Sequence, residues 1–123
     1  YAVLVDPQGI GSAMVTLTLS SDVAGTLSAD AAPITFSTTR AGQNGRYAFS
    51  GTAGQTGSLL FTNGTFPAPA GITVYKPDGT SLTSSSVTAS ITLDIPALPV
   101  TGTYIIFINP SAATTGKVDM QLK

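Results

Sequence analysis

Few residues in this chain could do chemistry, and their types exclude most catalytic mechanisms. The 123 residues include no Cys, His, Trp or Glu, which removes thiol nucleophiles, histidine bases and nearly all transition-metal sites. General acid–base catalysis needs titratable groups that lie together with shifted pKa values, and a serine nucleophile needs an adjacent base. The six carboxylates are instead scattered, at Asp6, Asp22, Asp30, Asp78, Asp94 and Asp119. We therefore expect a protein that is not an enzyme and has no cofactor.

Calcium is the metal ion that this composition still allows, because it binds oxygen ligands from Asp side chains and loop carbonyls. Asp22 with Asp30, or Asp6 with Asp119, could meet in the folded chain. Nothing in their spacing requires such a meeting, and positions in turns or on solvated strand faces are the better interpretation of these residues. We expect no metal site.

Exposed aromatic side chains could form a carbohydrate site, since sugar rings stack on flat aromatic faces. The candidates are Tyr1, Phe66, Tyr75 and Tyr104, with Gln55 and Asn63 nearby in sequence. The chain has no Trp, however, and most of its aromatic residues occupy inward strand positions. Core packing is the better interpretation for Tyr47, Phe49, Phe61 and Phe107.

The composition favours an all-β protein that works outside the cell. Only 9% of the residues are charged, against a usual quarter, and Thr, Ser and Gly are abundant. Glu, Lys and Arg favour helices, whereas Thr and Val suit pleated surfaces. The net charge of −1 gives no electrostatic footprint for nucleic acid, and no apolar run reaches the roughly 18 residues of a membrane span. Few charges and many hydroxyl groups indicate an extracellular or cell-surface protein.

Short strands are the elements that must position these residues. Apolar and polar residues alternate in many short segments, and no segment repeats its apolar residues with the period of a helix. Turn signals separate the segments at intervals typical of a sandwich. The predicted strands span residues 1–5, 13–19, 23–27, 34–38, 46–50, 58–62, 72–75, 81–83, 89–93, 104–109 and 117–122. The predicted fold is an antiparallel β-sandwich, jelly-roll or Ig-like, of about nine to ten strands.

The strongest local signal is a turn at residues 76–80. Pro77 presets the first turn position, Asp78 bonds back to the backbone and Gly79 accepts a positive φ. We expect a hairpin here, with residues 81–83 as its returning arm and residues 84–86 as polar filler.

The end of the chain repeats its beginning. Residues 104–122 match residues 1–19 at an offset of 103 positions. The match pairs Tyr104 with Tyr1, Pro110 with Pro7, Val118 with Val15 and Leu122 with Leu19. A fixed period indicates tandem structural units, so we interpret the chain as one module preceded by the last part of another. Its start inside a strand pattern, without a signal peptide, suggests processing or a fragment of a longer exported chain.

This repeat divides the chain into two parts. Residues 1–20 are predicted to be the terminal hairpin of a preceding repeat, or a donor or linker segment, and residues 21–123 a complete β-sandwich module. The hairpin would pack on the module or complete a sheet of the next subunit by strand addition. An arbitrary chain boundary is the alternative. The predicted assembly interface consists of Val3, Val5, Val15, Leu17, Leu19, Val118, Met120 and Leu122.

Three segments carry a recognisable order of turns and strand starts: residues 41–55 (AGQNGRYAFSGTAGQ), 74–80 (VYKPDGT) and 98–104 (LPVTGTY). This order resembles the bacterial pre-peptidase C-terminal type of β-sandwich. It looks closer still to the tandem modules of roughly 100 residues in large secreted or surface bacterial proteins, some of which carry RHS/YD repeats. The resemblance implies a non-catalytic accessory or stalk module. A related type binds collagen with calcium through clustered acidic residues, but here only Asp22 and Asp30 lie in that region, so we do not expect this function.

The leading interpretation is a structural module of an extracellular bacterial array, stalk or filament, joined end to end through hairpin or edge-strand contacts. Its partners would be copies of itself or neighbouring repeats. The alternative is a carbohydrate-binding accessory module of a secreted enzyme or adhesin, whose partner would be a polysaccharide.

Overall fold

The structure is a computed structural model that describes residues 2–6, 12, 14–111 and 114–123. Within these ranges it contains nine strands and no helix. The strands are β1 (Val23–Thr26), β2 (Ile34–Ser37), β3 (Gly45–Gly51), β4 (Gly57–Thr62), β5 (Ala70–Tyr75), β6 (Ser81–Val87), β7 (Ile91–Ile95), β8 (Gly102–Pro110) and β9 (Lys117–Leu122). Each of them overlaps a strand that the alternation of the sequence predicts.

The nine strands form two sheets that face each other. The first sheet has the order β1-β3-β8-β5-β6 and the second has the order β2-β9-β4-β7. All pairs are antiparallel except β1 with β3, which run parallel. Among the described strands, β5 and β6 are the one consecutive pair that hydrogen-bond to each other, since every other connection crosses between the sheets. The predicted antiparallel β-sandwich is confirmed.

The core lies between the two sheets and follows the period-2 alternation of the strands. In β3, β8 and β9 every second side chain is buried, whereas the residues between them face outwards. The largest side chains with almost no solvent exposure are Tyr104, Phe36, Phe61, Leu59, Ile72, Ile106, Ile108, Met120, Val74, Val87 and Val118. Burial of these apolar groups is the dominant favourable term for a fold of this kind.

The β5–β6 hairpin turns where the sequence predicts it. The Lys76 N–H donates to the Thr80 carbonyl at 2.8 Å, and Gly79 has a φ of 82°. Asp78 Oδ1 accepts hydrogen bonds from the Thr80 hydroxyl at 2.6 Å and the Thr80 N–H at 2.8 Å, which lower the pKa of the Asp78 carboxyl. The prediction of polar filler at residues 84–86 is wrong, because these serines lie within β6. Their small side chains suit an edge strand with one solvated face.

Strands β8 and β9 lie in different sheets, so the closing hairpin predicted for residues 104–122 is wrong. Strand β8 lies between β3 and β5, and β9 lies between β2 and β4. In the sequence, two neighbouring alternating segments are equally compatible with a hairpin and with strands in different sheets. Here both are central strands, however, and each pairs on both sides with strands that are distant in sequence.

Tyr104 anchors the start of β8. Its side chain is fully buried and its ring stacks on Phe49 with centroids 5.4 Å apart. Its hydroxyl donates to the carbonyl of Val100, four residues earlier, at 2.7 Å. This bond ties the loop that precedes β8 to the core, in the manner of the tyrosine corner of Ig-type sandwiches.

We expect Tyr104→Phe to lower the free energy of unfolding by about 1 to 2 kcal/mol, because it leaves the Val100 carbonyl without its donor. Urea unfolding followed by circular dichroism measures this loss. Tyr75→Phe is the matched control, since Tyr75 is half-buried on the outside of the sheet, and it should cost less than about 0.5 kcal/mol. Equal losses in the two variants would contradict the anchoring role of the Tyr104 hydroxyl.

Candidate functional site

The segment that precedes the sandwich exposes a row of apolar side chains. Residues 2–6 and 14–20 form no strand, so the predicted strands 1–5 and 13–19 are wrong in their described part; Tyr1 and Ala13 lie outside the described residues. The exposed fractions are 78% for Val3, 50% for Val5, 61% for Val15, 64% for Leu17 and 93% for Leu19. These are the residues predicted to form an assembly interface.

Their counterparts at the other end of the chain are core residues. Val118 and Met120 are completely buried in β9, and Leu122 is nearly so. They contact the opposite sheet and have no outer surface to offer a neighbouring copy. The predicted interface therefore remains a prediction, and for these three residues it requires β9 itself to be exchanged between copies.

The absence of a strand at residues 14–19 has a simple physical reason. A strand is stable only when neighbouring strands satisfy its backbone N–H and C=O groups and cover its apolar face. The chain's own β8 and β9 occupy inner positions of the two sheets, where an alternating strand finds a neighbour on each side. The same alternating sequence is therefore buried at one end of the chain and exposed at the other.

The link between this segment and the sandwich is held by polar contacts. The Asp22 carboxylate accepts hydrogen bonds from Arg46 Nε at 2.7 Å and from Asn44 Nδ2 at 3.3 Å. The Val23 N–H donates to the Asn44 carbonyl at 2.7 Å, and the Ser20 hydroxyl reaches the Ala41 carbonyl at 3.4 Å. Residues 20–23 therefore lie against the start of β3.

A second candidate site lies on the outer face of the five-stranded sheet. Half-buried Tyr75 and Phe107 have ring centroids 6.4 Å apart, and the Arg46 guanidinium lies 4.7 Å from the centre of the Phe107 ring. The turn after β5 forms one wall beside these rings. We call this depression the aromatic trough; it is lined by Arg46, Tyr75, Lys76, Pro77, Gly79, Thr103, Ile105 and Phe107.

The structure sorts the aromatic residues considered for carbohydrate binding. Phe66 and Tyr104 are core residues, and Tyr1 lies outside the described residues, which leaves Tyr75 at the surface. The assignment of Phe107 to the core is wrong, because it faces outwards from β8 between two buried isoleucines. Core packing is confirmed for Tyr47, Phe49 and Phe61. Sequence reasoning missed Phe107 because both faces of β8 are apolar, and alternation does not say which face meets the other sheet.

The carboxylates form no cluster. Asp119, on the outer face of the four-stranded sheet, accepts hydrogen bonds from the Thr35 hydroxyl at 2.5 Å and from Asn63 Nδ2 at 2.8 Å. Asp30 lies beside the end of β9, 3.8 Å from Lys123 Nζ, whereas Asp22 lies at the other end of the sandwich. In the described ranges no group of three or more acidic side chains could hold a metal ion.

Hydrogen bonds on the outer face of the four-stranded sheet change the pKa of the Asp119 carboxyl. The hydrogen bond from Thr35, followed by that from Asn63, lowers the pKa of the Asp119 carboxyl. A carboxyl with a depressed pKa in the folded state adds stability above its unfolded pKa of about 4 and loses it as pH falls through the folded value. Asp119 therefore contributes at neutral pH and not in strong acid.

In comparisons with known proteins, no protein-family model matches the chain, and no curated protein sequence does. Solved structures do match. The pre-peptidase C-terminal domain of a collagenase from Bacillus anthracis aligns over 83% of this chain and 94% of its own, with a TM-score of 0.62 and 13% identity. PliG of Aeromonas hydrophila, a periplasmic inhibitor of g-type lysozyme, aligns over 83% of this chain and 99% of its own, with a TM-score of 0.56 and 16% identity.

These matches define the class of fold, a two-sheet β-sandwich of the pre-peptidase C-terminal type. The resemblance that residues 41–55, 74–80 and 98–104 carry is confirmed at the level of the fold. Identities of this size establish architecture alone. No helix in the described part of the chain is long and apolar enough to cross a membrane.

We expect Met120→Ala to lower the free energy of unfolding by about 2 to 5 kcal/mol, because it leaves a cavity between the sheets. Leu17→Ala, at the equivalent position in the first segment, should change it by less than about 0.5 kcal/mol. Chemical denaturation of both variants gives the comparison. Similar losses would show that residues 14–19 pack on the sandwich, contrary to the structure.

When the pH is lowered from about 6 to about 2, we expect the unsubstituted chain to lose more of its free energy of unfolding than the Asp119→Asn variant loses. Thermal midpoints of the two proteins across this range measure the difference. Thr35→Val, which removes the strongest donor to Asp119, should reduce the pH dependence in the same direction. Parallel midpoint curves for all three proteins would contradict the role of this carboxylate.

Proposed function

We propose that this chain is a non-catalytic structural module of an extracellular tandem array, in which residues 1–19 are the last two strands of the preceding module. One observation carries the proposal. Val3, Val5, Val15 and Leu17 correspond in the repeat to Ile106, Ile108, Val118 and Met120. The second group is completely buried, whereas at least half of each side chain in the first group is exposed. The first segment thus has the pattern of core strands and no core of its own.

The topology explains where that core would be. Because β8 and β9 are central strands of opposite sheets, a segment that repeats them contributes to both sheets of one sandwich. It would lie inside the preceding module, between that module's own strands, and would not serve as an adhesive edge. This arrangement also removes the aggregation hazard of a free apolar strand.

The path of the chain favours linear stacking of modules. Strand β1 begins opposite Gly45, at one end of β3. Strand β9 ends beside β4 near Gly57, where Lys123 and Leu98 also lie, at the end of the sandwich towards Gly51. These two ends are separated by the length of β3, about 20 Å at 3.3 Å per residue. A chain that enters one end and leaves at the other places consecutive modules end to end.

The joint between modules would be short. In the repeat, Leu19 is equivalent to Leu122 at the end of β9, and β1 begins at Val23. Only residues 20–22 separate the two, and Asp22 is held by Arg46 and Asn44. A connection of this length, with a bonded carboxylate, leaves adjacent modules little freedom to rotate.

The structural neighbours support the location that we propose, and the residue types support the absence of catalysis. One neighbour is described as periplasmic and the other is a domain of a collagenase. An extracellular or periplasmic place agrees with a chain of few charges and many hydroxyl groups. The non-catalytic role is supported by residue types, since the sequence has no His, Cys or Glu and its carboxylates are dispersed.

An extended chain tests this proposal directly. Residues 20–103 are placed ahead of Tyr1, so that Thr103 is followed by Tyr1 as it is followed by Tyr104 in the module. We expect residues 1–19 to become the eighth and ninth strands of the added module. Amide hydrogen exchange of Val15, Leu17 and Leu19 should then slow by at least about a hundredfold relative to the 123-residue chain.

Substitutions in the extended chain give the control. In the extended chain, combined Val15→Ser and Leu17→Ser should abolish the protection of residues 14–19 against hydrogen exchange. In the 123-residue chain, the same substitutions should abolish any assembly. Residues 21–123 should remain folded in both chains. Thr18→Ser, at a position that alternates to the outer face, should leave the protection intact. If residues 14–19 of the extended chain exchange as fast as in the single chain, the first segment is not part of a preceding module.

A further inference from the structure

The aromatic trough is a depression built on the outer face of the five-stranded sheet. Its volume is about 330 Å³, within the range typical of small-ligand pockets. Tyr75 and Ile105 are opposite each other on β5 and β8, and Arg46 and Phe107 are opposite each other on β3 and β8. Three adjacent strands therefore build its floor, which gives it a rigid base.

One wall of the trough is equally well fixed. It consists of the turn at residues 76–80, which its own backbone hydrogen bonds close. Pro77 lies so near the backbone of Gly102 that a Cβ atom at this position would come within 2.7 Å of the proline ring. The absence of a side chain at Gly102 therefore lets the turn approach the sheet beside the aromatic rings.

The fold itself does not require this cluster. The outer face of the four-stranded sheet carries polar residues, among them Thr35, Asp119 and Gln121. In the repeat, the positions of Ile105 and Phe107 are occupied by Ala2 and Leu4. Outward aromatic groups on one sheet thus need an explanation other than the stability of the sandwich, and exposed apolar surface next to polar groups is typical of binding sites.

The charges that line the trough are both positive. Arg46 and Lys76 line it, whereas Asp22 and Asp78, the carboxylates paired with them, do not. Asp22 binds Nε of Arg46, and the guanidinium lies over the Phe107 ring. The Arg46 side chain is therefore held in place through Nε and through the face of the guanidinium, so that an anion would bind to its terminal nitrogens. A guanidinium fixed in this way suits a carboxylate, which it can bind through two parallel hydrogen bonds.

We propose that the aromatic trough binds an acidic polysaccharide, with a uronic acid ring stacked on Tyr75 and its carboxylate bound by Arg46 and Lys76. The flat apolar face of a sugar ring matches the outward, half-buried ring of Tyr75. The hydroxyl of Thr103 lies on the same floor and supplies a hydrogen-bonding group for the ring hydroxyls. Two cations and one exposed ring fit a single charged sugar unit better than a polyanion with several adjacent phosphates. This proposal is independent of the tandem role of the module.

Titration of the full chain with polygalacturonate, followed by calorimetry and by amide chemical shifts, tests this site. We expect saturable binding with shifts confined to β3, β5, β8 and the turn at residues 76–80. Tyr75→Ala and Arg46→Gln should each weaken the affinity by at least about tenfold. Tyr75→Phe should retain it, because the ring remains. Lys117→Gln, which removes a cation from the other sheet, should leave it unchanged.

Three outcomes would overturn the proposal. The first is no binding of polygalacturonate at millimolar sugar concentration. The second is equal or tighter binding of a neutral polysaccharide such as xylan, which would remove the role of the carboxylate. The third is equal binding of dextran sulfate together with no effect of Tyr75→Ala, which would show a simple attraction between charges. Unfolding midpoints of all variants separate a lost site from a lost fold, and Arg46→Gln remains informative if Tyr75→Ala is unstable.

Discussion

The structure depends on the burial of two central strands in opposite sheets. Tyr104, Ile106 and Ile108 of β8 and Val118 and Met120 of β9 are all completely buried in the core between the two sheets. Every other strand adds to one side or the other of this pair. A sandwich of this size derives most of its stability from apolar surface removed from water. The loss of either strand would divide its own sheet and expose the facing side of the other sheet.

That constraint explains why the two copies of one sequence pattern differ. Alternation of apolar residues is necessary for a central strand but does not suffice, because the strand also needs a neighbour on each side. Residues 117–122 have β2 and β4, and residues 14–19 have neither. The exposed apolar row that includes Val15 and Leu17 is the feature that our proposal of a preceding module explains.

Sequence alone predicted the position of all nine strands, the turn at residues 76–80 and most of the core, because each depends on local alternation or local turn chemistry. It did not predict which strands pair. The interpretation of residues 104–122 as a hairpin was wrong for this reason, since short connections serve hairpins and crossovers between sheets equally. Phe107 was placed in the core because alternation distinguishes two faces without saying which one is covered. The aromatic trough also needs long-range pairing, since Arg46 and Tyr75 are brought to Phe107 only by the strand order.

The two faces of each strand thus serve different purposes. Inward positions of β8 and β9 have apolar counterparts in the first segment, where Val5 corresponds to Ile108 and Leu17 to Met120, as the proposed tandem arrangement requires. The outward position of Phe107 corresponds to Leu4, so the outer surface differs while the framework is kept. Because the core between the sheets supplies most of the stability, substitutions of outward side chains change the free energy of unfolding only a little. In the tandem array that we propose, the same physical division would leave each copy free to carry its own outer surface.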